Sequence, residues 1–135
     1  TNGLKLCVEE AIIAVHDGVR PLINPDLILT LYHEAELNCA VIPVCPMSES
    51  IRKAQGEGSK ALDRSQYYSV QTPQCFSSAL LHKAYQQDEQ ETFTDDASVV
   101  EALGKDVHLF TGDQRNIKLT TPEDFVFAQA LLNHP

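Results

Sequence analysis

Asp17 and Arg20 stand three positions apart in "AVHDGVRPL" (14–22), directly after an apolar run and on either side of Gly18. A carboxylate and a guanidinium this close form either a structural ion pair or a clamp on a polar ligand, and the local sequence leaves both open. Lys118 raises the same question. It sits in "NIKLT" (116–120), where a buried ammonium would need an anion beside it and an ammonium on the solvent face of an edge strand would not. Arg64 and Thr72, taken singly, are ordinary surface types. Asp95 and Asp96 suggest a magnesium site, but they open an apolar-periodic segment, where helix-end chemistry explains two acids more economically.

The elements that would position these residues follow from apolar runs and caps. Ile12–Val15 and "CAVIPV" (39–44) are unbroken apolar runs, as in strands covered on both faces. Between them Asn24 is a fitting N-cap, Pro25 suits the first helical turn, and Leu27, Ile28, Leu31 and Ala35 share a face. Strand, helix and strand make a right-handed βαβ unit. Residues 46–75 are too poor in apolar side chains for a core. Their short alternating segments around Gly56-Glu57-Gly58 predict a hairpin arm that leaves the domain.

Helical texture returns at "SSALLHKAYQQ", capped by Ser77 or Ser78, and at "TDDASVVEALG", capped by Thr94 and stopped by Gly104. "VHLF" (107–110) and "NIKLT" read as strands. "TTPEDFVFAQALL" closes the chain as a helix with Thr121 as cap, Asp124 in the capping-box place, and Phe125, Ala128, Leu131 and Leu132 inward. The prediction is one α/β domain over residues 1–135. In an open α/β sheet ligands bind beyond the carboxyl ends of the strands, where Asp17, Arg20 and Lys118 fall.

Bulk properties exclude some partners. The 135 residues, 43% hydrophobic, are enough for one core, and a formal charge of -9 argues against a nucleic-acid backbone or an anionic membrane surface. No stretch approaches the roughly 20 apolar residues of a membrane span, and an export signal is not evident. A cytoplasmic protein is expected. Cys7, Cys39, Cys45 and Cys75 form no CxxC pair and have no histidine at zinc spacing, so three or four of them read as small buried hydrophobes.

The order "VHDGVRPL", "AVIPVCPMSESIRK", "LDRSQYYSVQTPQCF", "TDDASVVEALG" and "NIKLTTPED" covers nearly the whole chain. It resembles the 2-C-methyl-D-erythritol 4-phosphate cytidylyltransferase family of the non-mevalonate isoprenoid pathway. The resemblance implies a Rossmann-like nucleotidyltransferase fold, with a mostly parallel sheet, and a homodimer whose projecting arm crosses to the partner. It implies transfer of CMP from CTP to methylerythritol phosphate, with magnesium held mainly by the CTP phosphates. By motif matching, Asp17 and Arg20 lie at the acceptor, Asp17 binding its hydroxyls. Arg64 and Lys118 position the acceptor phosphate, and Ser50, Thr72 and Thr94 add hydrogen bonds. Ser50 and Glu49 stand where the family usually has Thr and Asp, and Gly18-Val19 where it usually has Ala-Ala.

The resemblance also implies a glycine-rich, basic loop near the N-terminus that cradles the triphosphate. None of Gly3, Gly18, Gly56, Gly58, Gly104 and Gly112 forms one. The chain opens "TNGLKLCVEE", with no Met and with an apolar pattern already running. It reads as a C-terminal part, expected to be inactive alone. Three alternatives stand beside this reading: a sister cytidylyltransferase for a pentitol phosphate, a non-catalytic dimerisation or binding fragment, and an acidic phospho-receiver domain built around Asp17.

Overall fold

The structure, a computed structural model, describes residues 3–8 and 10–134. After a 3-10 turn at Leu4–Leu6 come β1 (Ile12–Val15), α1 (Pro25–Asn38), β2 (Ala40–Pro46), β3 (Arg52–Gln55), β4 (Gly58–Ala61) and β5 (Tyr68–Val70). The chain continues through β6 (Gln74–Ser77), α2 (Ser78–Ala84), α3 (Asp96–Glu101), β7 (His108–Thr111) and α4 (Pro122–Asn133). Among the described residues no helix is long and apolar enough to cross a membrane.

β2 is the centre of the sheet because its side chains are apolar on both faces, and Ala40 to Cys45 are all buried. Ala40, Ile42 and Val44 point into a cluster with Phe76, Leu81, Ala97, Val99 and Val100, which α2 and α3 cover. Val41 points the other way, onto Cys75 and onto Leu31 and Ala35 of α1. The period-2 alternation of one strand thus joins two helical layers. α1 starts where expected, since Asn24 accepts the Asp26 amide at 2.9 Å and Pro25 leads the first turn.

One edge of β2 carries β7 in parallel, from Val41 opposite His108 to Val44 opposite Thr111. Its other edge is shared: β6 pairs antiparallel with Ala40 and Val41, and β5 with Val44 to Pro46. β6 also pairs antiparallel with β1, so β1, β2 and β7 run in one direction and β5 and β6 against them. The β1–α1–β2 crossover therefore preserves direction but skips a place, with β6 filling the gap.

That topology creates the site. Val15, the last residue of β1, is opposite Gln74, the first of β6. Whatever follows β1 must meet whatever precedes β6, and those residues are His16-Asp17 and Gln71-Thr72. On the β7 side Gly112 lets the chain pass close to Gln71, since a Cβ there would stand 2.5 Å from its Oε1.

Several sequence expectations need correction. Residues 46–75 are not all arm. Only β3 and β4, fully exposed, form a separate two-stranded hairpin, turned at Gly56 (φ 56°) and Glu57. β5 and β6 return to the main sheet because Val70, Cys75 and Phe76 find partners on β2. "NIKLT" is not a strand. No ladder reaches it; instead Leu119 donates to the Val19 carbonyl at 2.8 Å and buried Asn116 anchors it to Thr72.

The N-cap of α3 is Asp95 rather than Thr94, because its carboxylate accepts the Ser98 amide at 2.9 Å while the Ser98 hydroxyl receives the Thr94 amide. In α4, Ala128 is buried, but Phe125 and Leu132 are each more than 60% exposed within this chain. Of the cysteines, Cys45 and Cys75 are buried in the sheet; Cys39, at the end of α1, and Cys7 are exposed.

Candidate active site

A cleft of about 440 Å³ opens at the carboxyl end of β1, lined by His16, Asp17, Arg20, Gln71, Thr72, Gln74, Thr94, Asp95, Asp96 and Lys118. Of the seven residues to which the resemblance gives a site role, five meet here: Asp17, Arg20, Thr72, Thr94 and Lys118. The Asp17 amide donates to the Thr72 hydroxyl at 2.9 Å, which ties the turn after β1 to the break before β6. Asp17 Oδ2 then receives two cations, Arg20 Nε at 3.1 Å and Lys118 Nζ at 3.2 Å.

The two cations are not equivalent. The Arg20 side chain is 10% exposed, and its remaining contact is a 2.7 Å donation from Nη1 to the Asn116 carbonyl. Both bonds orient the protein: one aims Asp17, the other holds the segment that carries Lys118. Lys118 is 48% exposed and makes one ion pair among the described residues, so its ammonium keeps donors for a ligand. Burial pushes the Asp17 carboxyl up, but the hydrogen bonds and charges of Arg20 and Lys118 outweigh it and hold it below the ordinary 3.8. Asp17 is therefore an ionised acceptor at neutral pH, suited to hydroxyl donors.

The supporting groups were not legible in the sequence. Asn116 is fully buried; its Nδ2 donates to the Thr72 carbonyl at 2.8 Å, and its own carbonyl accepts from Arg20. Gln71 donates to the Asp113 carbonyl at 2.8 Å, fixing the loop after β7. Gln74, buried, donates to Asp95 at 2.8 Å and accepts the Ala97 amide at 3.0 Å, so one amide side chain sets the start of α3. A buried glutamine or asparagine carries no periodicity signal; only its position beside a motif residue could have pointed to it.

Asp95 and Asp96 face the cleft but are engaged. Asp95 serves the helix cap and Gln74, and Asp96 accepts the Tyr85 hydroxyl at 2.6 Å. Burial, then that bond, pushes the Tyr85 phenol well up, so it stays a donor. Among the described residues no three His, Cys, Asp or Glu side chains cluster to hold a metal.

Ser50 and Arg64 do not line the cleft. Both are exposed, and Arg64 donates through Nη1 to the Ser48 carbonyl at the base of the hairpin.

With the geometry in place, the comparisons are consistent with one another. The profile of the family described as "IspD: 2-C-methyl-D-erythritol 4-phosphate cytidylyltransferase" matches residues 1–134. The enzyme of that name from Phocaeicola vulgatus is 47% identical over 131 residues, 97% of this chain and 60% of the relative. That from Geobacillus kaustophilus is 42% identical over 134 residues, 97% of this chain and 59% of the relative. A crystal structure from Thermus thermophilus under the same name superposes with TM-score 0.84 at 32% identity, over 96% of this chain and 65% of that one. The chain thus spans about 60% of the length of the curated relatives it matches. Profile, relatives and superposed fold agree along nearly every described residue, and on that agreement the chain belongs to the 2-C-methyl-D-erythritol 4-phosphate cytidylyltransferase family.

Proposed function

We propose that the whole protein of which this sequence is read transfers CMP from CTP to 2-C-methyl-D-erythritol 4-phosphate, and that this chain supplies the acceptor side of the site. The observation that carries the reading is the Asp17–Lys118 pair at the mouth of one cleft: an ionised acceptor for hydroxyls beside a half-exposed cation for a phosphate. A polyol phosphate offers both partners.

An oxygen of the acceptor phosphate attacks the α-phosphorus of CTP, a new P–O bond forms, and the bond to the β-phosphate oxygen breaks to release pyrophosphate. No general base is needed, since the attacking phosphate is already ionised near neutral pH. The barrier is the approach of two anions, which fixed cations and close positioning lower. Lys118 holds the acceptor phosphate against the nucleotide; Asp17, aimed by Arg20, takes the acceptor's hydroxyls; Thr72 and Thr94 add hydrogen bonds from the cleft wall. Magnesium, when bound, would be held mainly by the CTP phosphates and would offset part of their charge.

The hairpin β3–β4 buries none of its strand residues against its own chain, and an isolated two-stranded hairpin is marginal in water. In this reading it packs on a second subunit, where Arg64, with Ser50, completes the site that contains the partner's Lys118, an isologous exchange in a homodimer. The cleft carries three carboxylates against two cations. That balance does not suit a triphosphate, so the basic groups that hold CTP lie outside the described cleft, and the 135-residue chain alone is expected to release no pyrophosphate. A cytoplasmic location goes with soluble phosphorylated substrates.

The test is pyrophosphate release by the whole protein with MgCTP and a panel of acceptors. Methylerythritol phosphate is expected to be turned over at a kcat/KM at least about tenfold above pentitol phosphates. A preference for a pentitol phosphate assigns the sister reaction, and no turnover with any acceptor refutes the transferase reading.

A further inference from the structure

His16 lies beside the acceptor pocket without being needed by any step above, yet both of its ring nitrogens are placed. Nε2 is 3.2 Å from the Arg20 carbonyl oxygen, and Nδ1 is 3.0 Å from the Thr72 hydroxyl. A carbonyl oxygen only accepts, so the proton of the neutral ring belongs on Nε2. Nδ1 is then a lone pair. The Thr72 hydroxyl must donate to it.

The consequence falls on Thr72. A hydroxyl has one proton and two lone pairs. Its proton goes to His16 Nδ1, and one lone pair is taken by the Asp17 amide at 2.9 Å. What remains for the cleft is a single lone pair. Thr72 in this state accepts and does not donate, so it matches a ligand hydroxyl and is mismatched to a phosphate oxygen.

We propose that His16 is a positioning residue that fixes the Thr72 hydroxyl as an acceptor and so makes this wall of the cleft read a hydroxyl of the acceptor substrate. The proposal rests on the reading that a polyol phosphate enters this cleft. It gives the cleft two hydroxyl readers, the Asp17 carboxylate and the Thr72 lone pair, and leaves the phosphate to Lys118. It also explains why an imidazole stands there: the ring converts the backbone carbonyl of Arg20, which is fixed by the turn, into the direction of a proton one side chain away. Asparagine can imitate half of this, because its carbonyl oxygen reaches about as far as Nδ1 and accepts the same proton; alanine imitates none.

The first measurement is the tautomer of His16 in the whole protein, by nitrogen-15 NMR of labelled histidines at about pH 8.5, where imidazoles are neutral. The His16 signals are identified as those that disappear in His16→Asn. The expected pattern is a protonated Nε2 and an unprotonated Nδ1. A protonated Nδ1 overturns the proposal, since Thr72 would then be free to donate into the cleft.

The second is steady-state kinetics of His16→Ala and His16→Asn. His16→Ala is expected to raise the KM for the acceptor about 5- to 10-fold with the KM for CTP within about twofold, as for one lost neutral hydrogen bond, and His16→Asn to recover most of the loss. An unchanged acceptor KM in His16→Ala, equal rises for both substrates, or His16→Asn as impaired as His16→Ala would each overturn it. If the whole protein turned over no acceptor, the functional reading would fall and with it the role of Thr72 in acceptor binding, while the imidazole signal would still decide the direction of the His16–Thr72 bond.

Discussion

Lys118→Ala in the whole protein is expected to lower kcat by a factor of about 100 to 1,000, the loss typical of one preorganised charge at a developing anion. The geometry singles it out. Arg20 has spent its guanidinium on Asp17 and the Asn116 carbonyl, whereas Lys118 is half exposed with one ion pair among the described residues. A competing cause is excluded by the sign of the Asp17 shift. Its folded value is held below 3.8, so the stability it contributes is complete above 3.8 and is lost only as pH falls through the folded value. Removing Lys118 moves the Asp17 carboxyl upward, by one hydrogen bond and one charge, but leaves it ionised at pH 7 to 8. A loss of kcat there reports the missing ammonium. Near-normal turnover would put Lys118 on a merely solvated face.

Mixing two inactive proteins is expected to restore activity. Arg64→Ala and Lys118→Ala, each made in the whole protein, are expected to be impaired as homodimers, because in the proposed function each lacks one cation at the acceptor phosphate. If the hairpins exchange, Arg64 of one subunit serves the site of the other. A heterodimer of the two variants then holds one site with both lesions and one site with neither, so co-refolding raises activity toward half of the wild-type value per heterodimer. If the hairpin folds back on its own subunit, every site keeps one lesion. Verified heterodimers with no recovery would remove Arg64 from the partner's site.

The parts of the fold that could be read from the sequence are those where one local signal has one structural meaning. Of the apolar run at residues 39–44, all but Cys39 is buried, on both faces of the sheet, and Asn24-Pro25 starts α1, because burial and capping are decided within a few residues. The errors share a cause. "NIKLT" alternates like a strand, but Asn116 spends its side chain on the Thr72 carbonyl and no ladder forms. Thr94 and Asp95 are both good caps, and the choice was made by Gln74, twenty-one residues earlier in the chain, which binds the Asp95 carboxylate. Phe125 and Leu132 have helical spacing, yet only Ala128 finds a core in this chain.

The site divides in the same way. Asp17, Arg20, Thr72, Thr94 and Lys118 came from ordered motifs, and the structure brings them to one cleft. His16, Gln71, Gln74 and Asn116 act through hydrogen bonds to residues between 21 and 96 positions away, apart from the short link from His16 to Arg20. No spacing rule reports such bonds.

Whether this cleft receives the acceptor is tested most directly by titration calorimetry of the whole protein with methylerythritol phosphate. With Asp17→Ala the affinity for the acceptor is expected to fall about 10- to 100-fold, the range for hydrogen bonds to a charged group, while the affinity for MgCTP stays within about threefold. Acceptor binding unchanged by Asp17→Ala, or a loss confined to MgCTP, would contradict it.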